Sequence, residues 1–131
     1  MKFFFDNNLS PRIARALSAL EGLNGNHIEH LRDRFAAATA DAEWIRELSK
    51  ERDWYVISCD KSILKNPHEV RAWRETGLVI FFLREMWLHL GFWDQAWQLV
   101  KRWPQICDIA SRSKNGEGFF VSIRKSQIEK V

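Results

Sequence analysis

Phe3-Phe4-Phe5 is a continuous apolar run, the pattern of a strand buried on both faces as in a parallel sheet, and it stops at the turn-forming Asp6-Asn7-Asn8. Ser10-Pro11 then opens a helix, with Ser10 as N-cap and Pro11 in the first turn. Ile13, Leu17 and Leu20 give this helix one apolar stripe, and Gly22 ends it. Residues 27–31 read as a short strand, and residues 32–38 are ambiguous. After Thr39 a helix over residues 40–52 presents Trp44, Ile45 and Leu48 on one face. Trp54-Tyr55-Val56-Ile57-Ser58 is the clearest strand, rich in aromatic and β-branched residues, and it ends at Cys59-Asp60-Lys61. Asn66-Pro67 starts a helix that Gly77 stops, and residues 78–83 form the next buried strand. The chain then reads as helical through Trp93, Trp97, Val100 and Trp103, with Pro104 starting or kinking a further turn. A loop at residues 114–118, a last strand at 119–123 and a polar tail from residue 124 complete it.

Strands alternate with helices throughout, which predicts an α/β fold with a mainly parallel central sheet flanked by helices. No repeat, linker or low-complexity stretch divides the 131 residues, so a single domain over 1–131 is expected. No apolar stretch reaches membrane-spanning length, and Met1-Lys2-Phe3-Phe4-Phe5-Asp6 is too short for a signal-peptide core, which makes the cytoplasm the expected location. Cys59 and Cys107 sit in apolar contexts without CxxC spacing and read as free thiols. The net charge of +3 permits a nucleic-acid substrate but lacks the dense basic stripe of a dedicated DNA-binding arm.

In an open α/β sheet, sites form beyond the carboxyl ends of the strands. Asp6 follows the first strand and Asp60 the central one. Asp41 lies three residues before Trp44, on the inward face of its helix, and reaches the same edge. Each acid taken singly also suits a turn or a helix start. Three converging carboxylates repel one another and call for a cation between them. Ligation by oxygen alone selects Mg²⁺ or Mn²⁺, which activates water and neutralises a scissile phosphodiester.

Three motifs in order carry a resemblance. Phe3-Phe4-Phe5-Asp6-Asn7-Asn8-Leu9-Ser10-Pro11 resembles the opening of small PIN-like proteins. Asp41-Ala42-Glu43-Trp44-Ile45 is similar to their second motif, and Val56-Ile57-Ser58-Cys59-Asp60-Lys61-Ser62-Ile63 to their third. The tryptophan-rich helices followed by Arg102-Trp103-Pro104-Gln105-Ile106 look like the VapC-type toxins of toxin–antitoxin systems. The resemblance implies a PIN-like three-layer sandwich, Mg²⁺- or Mn²⁺-dependent cleavage of RNA, and an antitoxin protein that masks the site. Asp6, Asp41 and Asp60 match the family's acidic positions.

Around these acids, Asn7 and Asn8 are read as orienting a water or a ligand, and Glu43 as a supporting acid on another helix face. Lys61, Lys65, Arg12, Arg71 and Arg74 are candidates for holding phosphates, with Lys61 favoured because it adjoins Asp60. His27, His30, His68 and His89 have no zinc-site spacing, and neither Ser58 nor Ser62 sits in a nucleophile elbow. Trp93, Trp97 and Val100 form an apolar stripe whose default reading is core packing. With seven tryptophans in the chain, some indoles are left over for a partner or a homodimer interface.

The leading reading is a metal-dependent endoribonuclease, the toxin of a toxin–antitoxin pair. The alternative is a catalytically degenerate PIN-like scaffold that binds protein or RNA through a tryptophan-rich surface. Asn7 and Ser62, standing where relatives carry further acids, are the features that favour it.

Overall fold

The computed structural model describes residues 1–60 and 62–131. Its elements are β1 (Lys2–Phe5), α1 (Pro11–Glu21), β2 (His27–His30), α2 (Asp41–Ser49), β3 (Trp54–Ser58) and α3 (Ser62–Lys65). They continue with α4 (Pro67–Thr76), β4 (Val79–Leu83), α5 (Phe92–Arg112), β5 (Gly118–Val121) and β6 (Glu129–Lys130). One six-stranded sheet runs in the order β2-β1-β3-β4-β5-β6. Every pairing is parallel except that of β5 with β6.

Strand alternation divides the core into two layers. Phe3, Phe5, Ile57 and Phe81 point to one face, where Ile13 and Leu17 of α1 and Leu99, Trp103 and Ile106 of α5 cover them. Phe4, Val56, Ile80 and Phe82 point to the other, under Trp44, Ile45 and Leu48 of α2, Ile63 of α3 and Trp73 of α4. The result is the expected three-layer α/β sandwich. At Gly118 the sheet and α4 approach so closely that a Cβ would stand 2.6 Å from Cη2 of Trp73.

Local signals explain the helix ends. The Ser10 side chain accepts the Arg12 N–H, with Pro11 in the first turn of α1. The Asn66 side chain does the same for His68, and Gly77 ends α4 in the left-handed region at φ 77°. His30 is buried and structural: its Nδ1 accepts the Arg32 N–H at 3.0 Å, leaving Nε2 to donate to Leu9 O at 2.6 Å. Burial holds its pKa below the ordinary value. Both cysteines are free thiols.

Several details differ from the sequence reading. Leu20 is 64% exposed, because the first helix buries only the Ile13–Ala14–Leu17 side. The segment before α5 is a 3₁₀ turn at Glu85–His89, and α5 then runs through Pro104 as one helix. The polar tail returns to the sheet as β6, and the 32–38 stretch is a 3₁₀ turn followed by loop. α2 starts at Asp41 and ends at Ser49. Trp93 and Trp97, expected in the core, are 81% and 50% exposed. No helix among the described residues is long and apolar enough to cross a membrane.

Candidate metal centre

β1 pairs with β2 on one side and β3 on the other, so the chain reverses its direction of winding at this strand. The crevice beyond the carboxyl ends of β1 and β3 is where such sheets place ligands. Register carries Asp6 to that point: Phe5 lies opposite Ile57, and the Asp6 N–H donates to Ile57 O at 3.0 Å.

Ser58, the buried last residue of β3, fixes two acids at once. Its hydroxyl donates to Asp6 Oδ2 at 2.6 Å and accepts the Asp60 N–H at 3.0 Å. Asp60 in turn accepts the Ser62 N–H at 2.8 Å on Oδ1, which ties it to the start of α3. Asp41 is the first residue of α2, where unpaired helix N–H groups favour a carboxylate. The indole N–H of Trp44, one turn later, donates to Asp41 Oδ1 at 2.9 Å. The inward face that buries Trp44 is therefore the device that aims Asp41.

One carboxylate oxygen from each of Asp6, Asp41 and Asp60 lies within 4.8 Å of the others. Burial pushes Asp6 up to about 6, with the Asp41 and Asp60 charges adding to the rise and the Ser58 and Asn7 hydrogen bonds opposing it. Asp41 is raised as well, by burial first and by the Asp60 charge. Glu69, in the first turn of α4, is raised by burial and by the charges of Asp41 and Asp60. Its Oε2 is buried with no hydrogen-bond partner. This fourth acid has no counterpart in the sequence reading, because an acid in a first helical turn needs no other explanation there. The set suits a hard divalent cation: the donors are all oxygen, and their ionised forms are mutually repulsive. Burial, and after it the charges of Asp6 and Asp60, push the neighbouring Cys59 thiol up to about 12. It is no nucleophile at neutral pH.

The remaining candidates are dispersed. Asn7 braces the loop beside β1, its Nδ2 donating to Ala37 O at 3.1 Å and its Oδ1 accepting from Arg32 Nε at 2.7 Å. Asn8 and Glu43 are exposed, and neither belongs to the carboxylate cluster. Lys65 and Arg71 are exposed on α3 and α4. Arg12 is exposed on α1, its guanidinium 4.3 Å from the centre of the Phe92 ring. Arg74 turns to the opposite edge of the sheet, donating to Gly116 O at 2.6 Å and lying over the Trp73 ring. Lys61 lies outside the described residues. A cavity of about 550 Å³ also lies at that opposite edge, lined by Ser49, Asp53, Thr76 and Leu78 among others. None of the four acids lines it.

A family model described as a PIN-like domain matches residues 1–85, which include β1 through β4 and all four acids. The chain belongs to the PIN-like domain family, a nuclease superfamily. No curated protein and no solved structure matches it.

Proposed function

We propose that the protein is a divalent-metal-dependent endoribonuclease and the toxin of a toxin–antitoxin pair. The observation that carries the nuclease reading is the meeting of Asp6, Asp41 and Asp60, from three separate segments, within 4.8 Å in a domain of this family. Asp6, Asp41 and Asp60 would hold Mg²⁺ or Mn²⁺. When bound, the ion supplies charge neutralisation at a phosphodiester and activation of water. Ser58 keeps Asp6 and Asp60 in register, and Trp44 keeps Asp41 in one rotamer, so the donors are set before the ion arrives. Glu69 deepens the negative field behind Asp41 and Asp60. The exposed Lys65 and Arg12 remain the candidates for contacts to the phosphates of the substrate. The toxin role rests on the resemblance of the tryptophan-rich helices and Arg102-Trp103-Pro104-Gln105-Ile106 to VapC-type toxins, and it implies an antitoxin that masks the site.

The test is cleavage of a mixed RNA pool by purified protein with Mn²⁺, Mg²⁺ or EDTA, beside Asp6→Asn and Asp60→Asn. Metal-dependent cutting lost in both variants supports the nuclease. Folded wild type that cuts nothing supports the non-catalytic binding module, which the solvent-facing Trp93 and Trp97 favour. Growth arrest of a bacterial host by wild type, absent with Asp6→Asn, supports the toxin role.

A further inference from the structure

The edge of the sheet away from the acids, where β3 and β4 begin, collects helix C-termini. Three of them line the cavity of about 550 Å³ found there: Ser49 is the last residue of α2, Thr76 the last of α4, and Ser113 caps α5. That volume falls within the roughly 300–1,000 Å³ of small-molecule sites. Each of the three residues gives its hydroxyl proton to its own helix. Ser49 Oγ donates to Arg46 O at 2.5 Å, Thr76 Oγ1 to Trp73 O at 2.8 Å, and Ser113 Oγ to Ala110 O at 2.8 Å. Each oxygen is left with lone pairs, which can only accept. Asp53 and Glu75 add two carboxylates to the lining, against one guanidinium, that of Arg52. The three helix ends contribute the negative poles of their dipoles. Arg52 and Asp53 are also the two non-glycine residues, among those described, with positive φ, both at 61°. The turn that brings Asp53 to the cavity is therefore strained.

We propose that this cavity binds an organic cation with several N–H donors, an alkylammonium of the polyamine class. Three hydroxyls and two carboxylates accept without donating, so the ligand must bring the donors. The balance of charge and dipole is negative, so the ligand must be cationic, and the phosphates of RNA are repelled. A metal ion fits poorly: among the described residues, a group of three metal-ligating side chains occurs only at Asp6, Asp41 and Asp60. The acceptors stand on three separate helices, which suits a chain carrying nitrogens at intervals better than a point charge. The wall is also braced in advance. The Gly116 N–H donates to Gly77 O at 2.9 Å, and Arg74 donates to Gly116 O at 2.6 Å, which ties the loop after α5 to the end of α4. The alkylammonium is the same chemistry whether it is free or carried on a lysine side chain of another protein.

Calorimetric titration of the full chain with spermidine, in EDTA at low ionic strength, should show binding to wild type and to Asp60→Asn alike. Asp53→Asn combined with Glu75→Gln should weaken that binding about tenfold or more. Both positions are exposed, and Asn tolerates the left-handed region, so this variant should keep the circular dichroism spectrum of wild type. Amide NMR signals of Ser49, Thr76 and Ser113 should shift with spermidine, and that of Asp6 should not. A tetralysine peptide that shifts the same signals and binds more tightly than spermidine upholds the site and assigns its cation to a protein segment. The absence of binding by either probe overturns the proposal. So does binding that the double exchange leaves unchanged, or binding that Asp60→Asn abolishes. None of these readings uses catalysis or a divalent ion, so they stand apart from the outcome of the nuclease test.

Discussion

Replacing Asp6 with Asn tests the electrostatics of the centre without requiring any substrate. Asp6 is 3% exposed, and its pKa is raised from 3.8 to about 6. A raised carboxylate pKa means that the fold disfavours the charged form. The associated stability is fully present below pH 3.8 and is lost as pH rises through about 6. In the ion-free protein at pH 7.5, the displacement corresponds to a cost of about 3 kcal/mol. Asn removes that cost and weakens the hydrogen bonds from Ser58 and Asn7, a loss of about 1 kcal/mol. The net gain is about 2 kcal/mol, or roughly 6 °C in melting temperature for a domain of this size. Thermal unfolding in EDTA should therefore place Asp6→Asn above wild type at pH 7.5 and close to it at pH 4. Adding Mn²⁺ should reverse the order at pH 7.5, because only wild type keeps the full donor set. An Asp6→Asn protein that melts below wild type in EDTA at pH 7.5 would refute the reasoning, and so would a difference between the two proteins that fails to narrow from pH 7.5 to pH 4.

Ser58→Ala removes the hydroxyl that joins Asp6 to the Asp60 N–H, at a cost of about 1–3 kcal/mol in urea denaturation. Because Ser58 holds the Asp6 pKa down, the Asp6 carboxyl should titrate above 6 in this variant, which carboxyl-carbon NMR reads directly. Glu69→Gln removes a charge that raises the energy of Asp41 and Asp60, so ion-free melting should rise by a few degrees. Calorimetry should show the same variant binding Mn²⁺ several-fold more weakly, as the field behind the acids falls. Gly118→Ala forces a methyl group against Trp73 between sheet and α4, and should cost about 1–3 kcal/mol with little change in ion affinity. Equal stability of this variant would show that the two elements separate more easily than their packing implies.

The frame of the fold was legible because its strands are uninterrupted apolar runs, at Phe3-Phe4-Phe5, Trp54–Ser58 and Val79–Leu83, each closed by a polar turn or a loop. Asp6 and Asp60 were legible for the same reason: an acid that ends a buried strand of a parallel sheet has few places to point. Asp41 followed from its phase with Trp44, although the indole hydrogen bond that fixes it did not. Ser58 and Glu69 were illegible, since both act through neighbours distant in sequence and each has an adequate local explanation. The helix of residues 92–112 misled for a different reason. It is apolar on two faces at the same period, and periodicity reports that a stripe exists without saying which stripe meets the sheet. β6 is two charged residues, below any pattern a sequence can show.

Trp103 of α5 packs on the first strand, its ring 4.7 Å from Phe3 and 5.9 Å from Phe5. The strand that delivers Asp6 is thus walled on one face by a residue from the last long helix. During synthesis every acid of the centre leaves the ribosome well before that wall exists. A chain halted after the fourth strand carries the complete set of carboxylates and has only the α1 half of the cover over Phe3 and Phe5. Closure of this face of the sheet therefore waits on a helix made after every acid of the centre.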